Sequence, residues 1–100
     1  MTGMPTYISL INWTDQGIRS CNATVERANS AKQLARRFGG EITATYWTVG
    51  PYDIVTVAEF PDEESGTAFL YAVGSGGSIR STTLRAFSAE ETTAILGKLP

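Results

Sequence analysis

The run Thr6–Trp13 (TYISLINW) alternates: Ile8 and Leu10 share one side, while Tyr7, Ile11 and Trp13 share the other. Alternation of that kind, bounded by Pro5 and by Thr14-Asp15, predicts a strand with apolar residues on both faces. Both faces then need cover. Helices cover one in so short a chain; the other calls for a second sheet or a partner. Thr14 or Asp15 caps a following helical stretch, which Gly17 and Ser20-Cys21-Asn22 break early. From about Thr24 to Phe38 the period changes. Val25, Ala28, Ala31, Leu34, Ala35 and Phe38 make one apolar stripe, and Arg27, Lys32, Arg36 and Arg37 lie mostly off it. Gly39-Gly40 supplies the left-handed cap.

Two further strands, Glu41–Thr48 and Asp53–Phe60, meet across Gly50-Pro51, which predicts an antiparallel hairpin. Pro61-Asp62 then opens a helix with acids in its first turn and Phe69 and Val73 on its buried side; Gly74-Ser75-Gly76-Gly77 ends it. A fourth strand runs from Ile79 to Phe87, and Ser88 with Glu91 forms a capping box for a short last helix anchored by Ile95, Leu96 and Leu99. The order β-α-β-β-α-β plus a helix predicts an α+β, ferredoxin-like domain over residues 1–100: a four-stranded antiparallel sheet with helices on one face. The uncovered face would carry the large residues of the first strand into water, so a homodimer through that face is expected.

Composition narrows the chemistry. The 100 residues suffice for one domain with one core, and 42% apolar with 18% charged residues is ordinary for a globular protein. The net charge of −2, with Lys32, Arg36 and Arg37 as the single basic cluster, speaks against a nucleic-acid partner. No apolar run approaches the roughly 20 residues that span a bilayer, so no membrane partner is expected. Cys21 is the sole cysteine, which excludes an internal disulfide and suits a reducing, cytoplasmic setting. Most telling is the absence of histidine. It removes Ser-His and Cys-His nucleophile systems and zinc sites of the Cys/His type. Asp62-Glu63-Glu64 and Glu90-Glu91 sit at helix starts, where acids favour the dipole, so no metal and no cofactor is expected.

The residues left to carry chemistry each have a structural alternative. Asp53, at the head of a strand beside Tyr52 and near Trp47, is a candidate general base if desolvated, or an acceptor of backbone N–H groups that closes the hairpin. Trp13, Trp47 and Tyr52, with Tyr7 and Tyr46, line either a pocket for a planar ligand or the core and dimer interface. Arg85, on a face with Ser81 and Thr83, is either an anion clamp or the partner of Asp53 or Glu59. Asn12 is either an oxyanion donor or a cap for the next turn. Gly74-Ser75-Gly76-Gly77 follows a helix instead of preceding one, so it reads as a C-cap and not a phosphate loop. Cys21, without a histidine, reads as a packing residue.

Gly50-Pro51-Tyr52-Asp53 has the form of the Gly-x-Tyr-Asp motif for which the GYD family is named, and the chain resembles that family. Pro5-Thr6-Tyr7-Ile8, Trp13-Thr14, Gln16-Gly17-Ile18, Tyr46-Trp47-Thr48 and Thr83-Leu84-Arg85-Ala86-Phe87-Ser88 extend the resemblance over about residues 4 to 99. Pro51 departs from it, standing where the family is associated with a polar or basic residue. The resemblance implies a dimeric α/β barrel. That fold group hosts cofactor-free monooxygenases, lactone isomerases, haem-handling proteins and members that only bind. Haem is disfavoured here because no histidine can ligate it, although tyrosine can. Met4-Pro5-Thr6-Tyr7 resembles the family's opening, so Met4 is read as the natural start and residues 1–3 as a disordered extension. The expected function is a homodimer, or higher oligomer, that binds a small molecule through Trp47, Tyr52, Asp53 and Arg85, with Asn12 and Trp13 beside them. One alternative is a cofactor-free monooxygenase or isomerase acting on an acidic aromatic or a lactone, with Asp53 as base. Another is a structural assembly module without a ligand.

Overall fold

The computed structural model describes residues 4–100; the reading of residues 1–3 as an extension lies outside the described residues. Strands β1 (Thr6–Trp13), β2 (Glu41–Trp47), β3 (Ile54–Glu59) and β4 (Ile79–Ala86) form one sheet in the order β2-β3-β1-β4. All its pairings are antiparallel. Helix α1 (Asp15–Arg19) is short, as the Gly17 and Ser20-Cys21-Asn22 signals require, and a 3-10 turn joins it to α2 (Thr24–Arg37). Helix α3 (Glu63–Gly74) connects β3 to β4, and α4 (Ala89–Leu96) follows β4. This is the ferredoxin-like βαββαβ arrangement with an added helix.

The pairing sorts side chains into rows. On the helix-facing side, Tyr7 stands beside Ala58, which stands beside Ile42. Phe60, Phe69 and Ala35 complete a core at this end of the sheet. The Phe60 ring centroid lies 5.1 Å from that of Phe69 and 6.3 Å from that of Tyr7. Thr43 forms a bulge in β2, its Oγ1 donating to the Val57 carbonyl at 3.2 Å, so Ile42 and Thr45 both face the helices despite their odd spacing.

The Tyr7 hydroxyl is buried and has no hydrogen-bond partner among the described residues. Its pKa is raised above 10.0, first by burial and then by the Glu63 and Asp62 carboxylates, against a lowering by Arg85. A phenol held neutral stabilises the fold in full below pH 10 and loses that contribution as pH rises through the folded pKa. Tyr7→Phe is therefore expected to leave stability at pH 7 unchanged or raised by up to ~1 kcal/mol, because an unmade hydrogen bond is removed. It should also flatten the fall of melting temperature above pH 10. A loss beyond ~1 kcal/mol at pH 7 would show that the hydroxyl has a partner.

The opposite face of the sheet has no helix of the described residues packed on it. Its middle is apolar: Ile8 and Leu10 of β1 lie beside Val57 and Val55 of β3, with Leu84 of β4 and Ala44 and Tyr46 of β2 flanking them. Tyr46 is 64% exposed. The capping box is in place, Glu91 N donating to Ser88 Oγ at 3.1 Å and Ser88 N to Glu91 Oε1 at 2.8 Å. The expectation that Ile95, Leu96 and Leu99 anchor α4 is corrected for the described residues: Leu96 is 58% and Leu99 66% exposed. None of the α4 residues is buried. The cap starts the helix locally, but β4 delivers it to one end of an elongated molecule, 51 Å in its longest dimension. No helix among the described residues is long and apolar enough to cross a membrane.

Candidate functional site

The Gly50-Pro51-Tyr52-Asp53 loop is shaped by Gly50, whose φ of +143° is a region that favours glycine. Thr48 Oγ1 donates to the Tyr52 carbonyl at 2.6 Å, and Thr48 N donates to the Asp53 carbonyl at 2.8 Å, which closes the loop. Asp53 then reaches sideways. Its N–H donates to the Ile11 carbonyl at 2.8 Å, and its Oδ2 accepts the Trp13 backbone N–H at 3.0 Å. The carboxylate thus pins the end of β1 and sets where Trp13 begins. Asp53→Asn is expected to cost about 1–3 kcal/mol, since a charge-assisted bond becomes a neutral one whose amide must also be oriented. Urea unfolding measures it; an unchanged midpoint would mean that the bond contributes nothing.

The other expected site residues divide between two ends of the sheet. Trp47 Nε1 donates to Thr24 Oγ1 at 2.9 Å, tying the end of β2 to the start of α2. Tyr52 is half-buried in the loop at the same end. Asn12 pairs across from Arg80 on the opposite face of the sheet from Trp13. Arg85 stands beside Tyr7, six residues along β1 from Trp13, or about 20 Å of strand. The pocket built from Trp47, Tyr52, Asp53 and Arg85 is therefore corrected: the sheet does not bring Arg85 to the other three. Nor does Arg85 pair with Asp53 or Glu59, because Glu59 pairs with Thr6 on the other face. Arg85 lies 4.3 Å from the Phe87 ring centroid and 5.8 Å from that of Tyr7, and it donates to the Thr6 and Ala86 carbonyls. Its charge is spent on aromatic faces and main chain.

A cavity of about 530 Å3 lies between the sheet and the helices, at the Trp13 end. Ala28, Ala31 and Leu34 of α2 and Leu70 and Val73 of α3 line it, and Trp13 is the one expected site residue that reaches it. Its cause is visible in α2. Alanines on the inward stripe leave unfilled the volume that leucines would occupy, whereas beyond Phe69, which itself lines the cavity, Phe38 and Phe60 fill the same layer. The sheet beneath presents hydroxyls. Thr45 pairs with Thr56, Thr56 with Ser9, and Ser9 with Thr83, one row across all four strands. Ser9 Oγ and Thr83 Oγ1 lie 2.9 Å apart and share a hydrogen bond. The signal for this row was Ser9, a polar residue on the inward face of an otherwise apolar strand. Charged residues stand along the cavity as Glu26, Arg27 and Arg80. The Arg27 guanidinium is held by the Ser20 and Gly17 carbonyls at 2.8 and 3.3 Å, at the C-terminal end of α1. Among the described residues no group of three His, Cys, Asp or Glu side chains is placed to hold a metal ion.

Comparison with known proteins fits this architecture. The model of the GYD domain family matches residues 7–96. A Thermus thermophilus protein named glutamine synthetase and cystathionine beta-lyase binding protein is 35% identical over 94 residues, which are 93% of this chain and 99% of that protein. Among solved structures, a Thermus thermophilus protein superposes with a TM-score of 0.56 at 23% identity, covering 86% of this chain and 96% of that one. An AsnC family transcriptional regulator of Agrobacterium tumefaciens gives 0.58 at 18% identity, over 87% of this chain and 52% of that one. At those identities the two structures share the fold.

Proposed function

The chain belongs to the GYD domain family, and from that premise we propose that it is a homodimeric, cytoplasmic protein that binds a small molecule between its sheet and its helices. The single observation that carries the proposal is the 530 Å3 cavity with apolar walls and a row of hydroxyls beneath. A volume of that order, mostly apolar with a few convergent polar groups, is what small-molecule sites have in common. The apolar open face of the sheet supports the dimer: contiguous apolar side chains with no helix of the described residues packed on them mark an interaction surface. Trp13 serves as a wall of the site, and Asp53 positions it through the bond to its main chain. Native mass spectrometry of the purified protein tests the reading. A small molecule is expected to travel with the wild-type chain and to be lost from Ala28→Leu, which narrows the cavity at its roof. Retention of the same mass by a folded Ala28→Leu protein would place the molecule elsewhere and end the proposal.

A second reading rests on α4. The Thermus relative is named for binding two enzymes, and this chain leaves Ile95, Leu96 and Leu99 of α4 and its tail exposed. A metabolic enzyme docked on that helix would cover them. Leu96→Asp with Leu99→Asp should then abolish co-sedimentation with glutamine synthetase while leaving the cavity's ligand in place; undiminished co-sedimentation would remove α4 from the interface.

A further inference from the structure

We infer that the cavity's ligand is an uncharged, oxygen-bearing aromatic ring system, a phenol or an aryl ketone, and not a carboxylic acid. The inference rests on the small-molecule reading above and deepens it. The layer beneath the ligand has hydroxyls and no ions: Thr45, Thr56 and Ser9 line the cavity, and Thr83 continues their row across strands spaced ~4.8 Å apart. Ser9 and Thr83 satisfy each other. Thr45 and Thr56 make no side-chain hydrogen bond to another described residue, so their hydroxyls are the ones left for a ligand. A hydroxyl both donates and accepts, which suits a phenol or a carbonyl oxygen equally. An ionised carboxylate on the hydroxyl row would leave water with hydroxyls, and no cation, as its immediate neighbours in that row, and such a burial is disfavoured.

The cations follow the same division. Arg27 is engaged by the carbonyls of Gly17 and Ser20, and Arg85 by the main chain at the far end of the sheet. Arg80 belongs to the strand positions that alternate away from the helices, one residue on from Ile79, which faces them across from Trp13. Arg27 and Arg80 line the cavity, but neither donates to Ser9, Thr45, Thr56 or Thr83. Shape points the same way. A sheet below and alanines above make a slot that a flat ring system fills, and about 530 Å3 is room for two or three fused rings. Trp13 adds an aromatic wall, and its indole N–H is buried without a partner among the described residues, a second donor suited to oxygen.

Equilibrium dialysis of the full chain at pH 7 against naphthalene, 1-naphthol and 1-naphthoate tests the inference, since the three share a ring and differ in the group presented. Naphthol should bind about tenfold or more tightly than naphthoate, and more tightly than naphthalene. Thr56→Val, which keeps the side-chain volume and removes the hydroxyl, should weaken naphthol by about tenfold and leave naphthalene unchanged. Naphthoate binding as tightly as naphthol would overturn the ligand class while leaving the cavity a binding site. Equal affinities for naphthol and naphthalene, or an unmoved naphthol affinity in a folded Thr56→Val protein, would likewise overturn it. Failure of all three probes to bind would instead overturn the small-molecule reading on which it rests. The comparison of probes on the wild-type chain needs no variant to fold.

Discussion

Replacing Phe60 with alanine is expected to destabilise the fold by about 3–5 kcal/mol, the usual range for removing a buried phenylalanine. Phe60 is 2% exposed, and its ring packs against those of Tyr7 and Phe69. The surroundings are built around it. A Cβ placed on Gly40 would run into the Phe60 ring and the Glu59 carbonyl, so the chain passes there only because residue 40 has no side chain. Such a close fit on the Gly40 side leaves little freedom to collapse into the space vacated. At roughly 4–8 °C per kcal/mol for a domain of this size, the melting temperature should fall by at least ~12 °C. Thermal unfolding followed by circular dichroism measures it. A drop of less than ~5 °C would mean that the aromatic end is not the principal core.

The second large effect concerns the open face. Leu10→Arg is expected to dissociate the proposed dimer, weakening association by about 30-fold or more, because it buries a cation at the centre of an apolar contact. Leu10 sits between Val55 and Thr82 in the middle of the sheet, on the side without helices. In a monomeric protein the same substitution would place a charge in water, where surface changes stay within about 0.5 kcal/mol. The two situations therefore differ in kind. Sedimentation velocity at micromolar concentration separates them: a wild-type dimer that becomes monomeric on substitution supports the interface, and a wild-type monomer sinks it.

The strands and helices were legible because their signals are local. The alternation of Thr6–Trp13, the three-and-four spacing of α2, the Ser88–Glu91 capping box and the Gly-Pro loop each act within a few residues. Strand boundaries moved by a residue at Thr48, Asp53, Phe60 and Phe87; at the first three, ladder bonds give way to loop bonds. The site was less legible. Asp53 and Trp13 are forty residues apart in sequence and meet through a bond from the Trp13 main-chain N–H to the Asp53 carboxylate, a pairing that no composition or spacing announces. Arg85 follows the expected alternation, with Ser81 and Thr83 on its face, yet the register sets it beside Tyr7, at the wrong end for Asp53.

What the sequence determined by itself is the list of excluded chemistries and the order of elements. A residue type that is absent is absent in every conformation, so the lack of histidine constrains the protein before it folds. What only the tertiary structure decided is where space remains. A cavity is the difference between the volume that a backbone encloses and the volume that side chains fill, and that difference depends on which rows face which helices. Ala28 and Ala31 read in sequence as ordinary members of an apolar stripe. Set over Ser9, Thr45 and Thr56 they become the roof of a slot, and the same geometry leaves Ile8 and Leu10, half-buried, on the far side with no helix of the described residues packed over them.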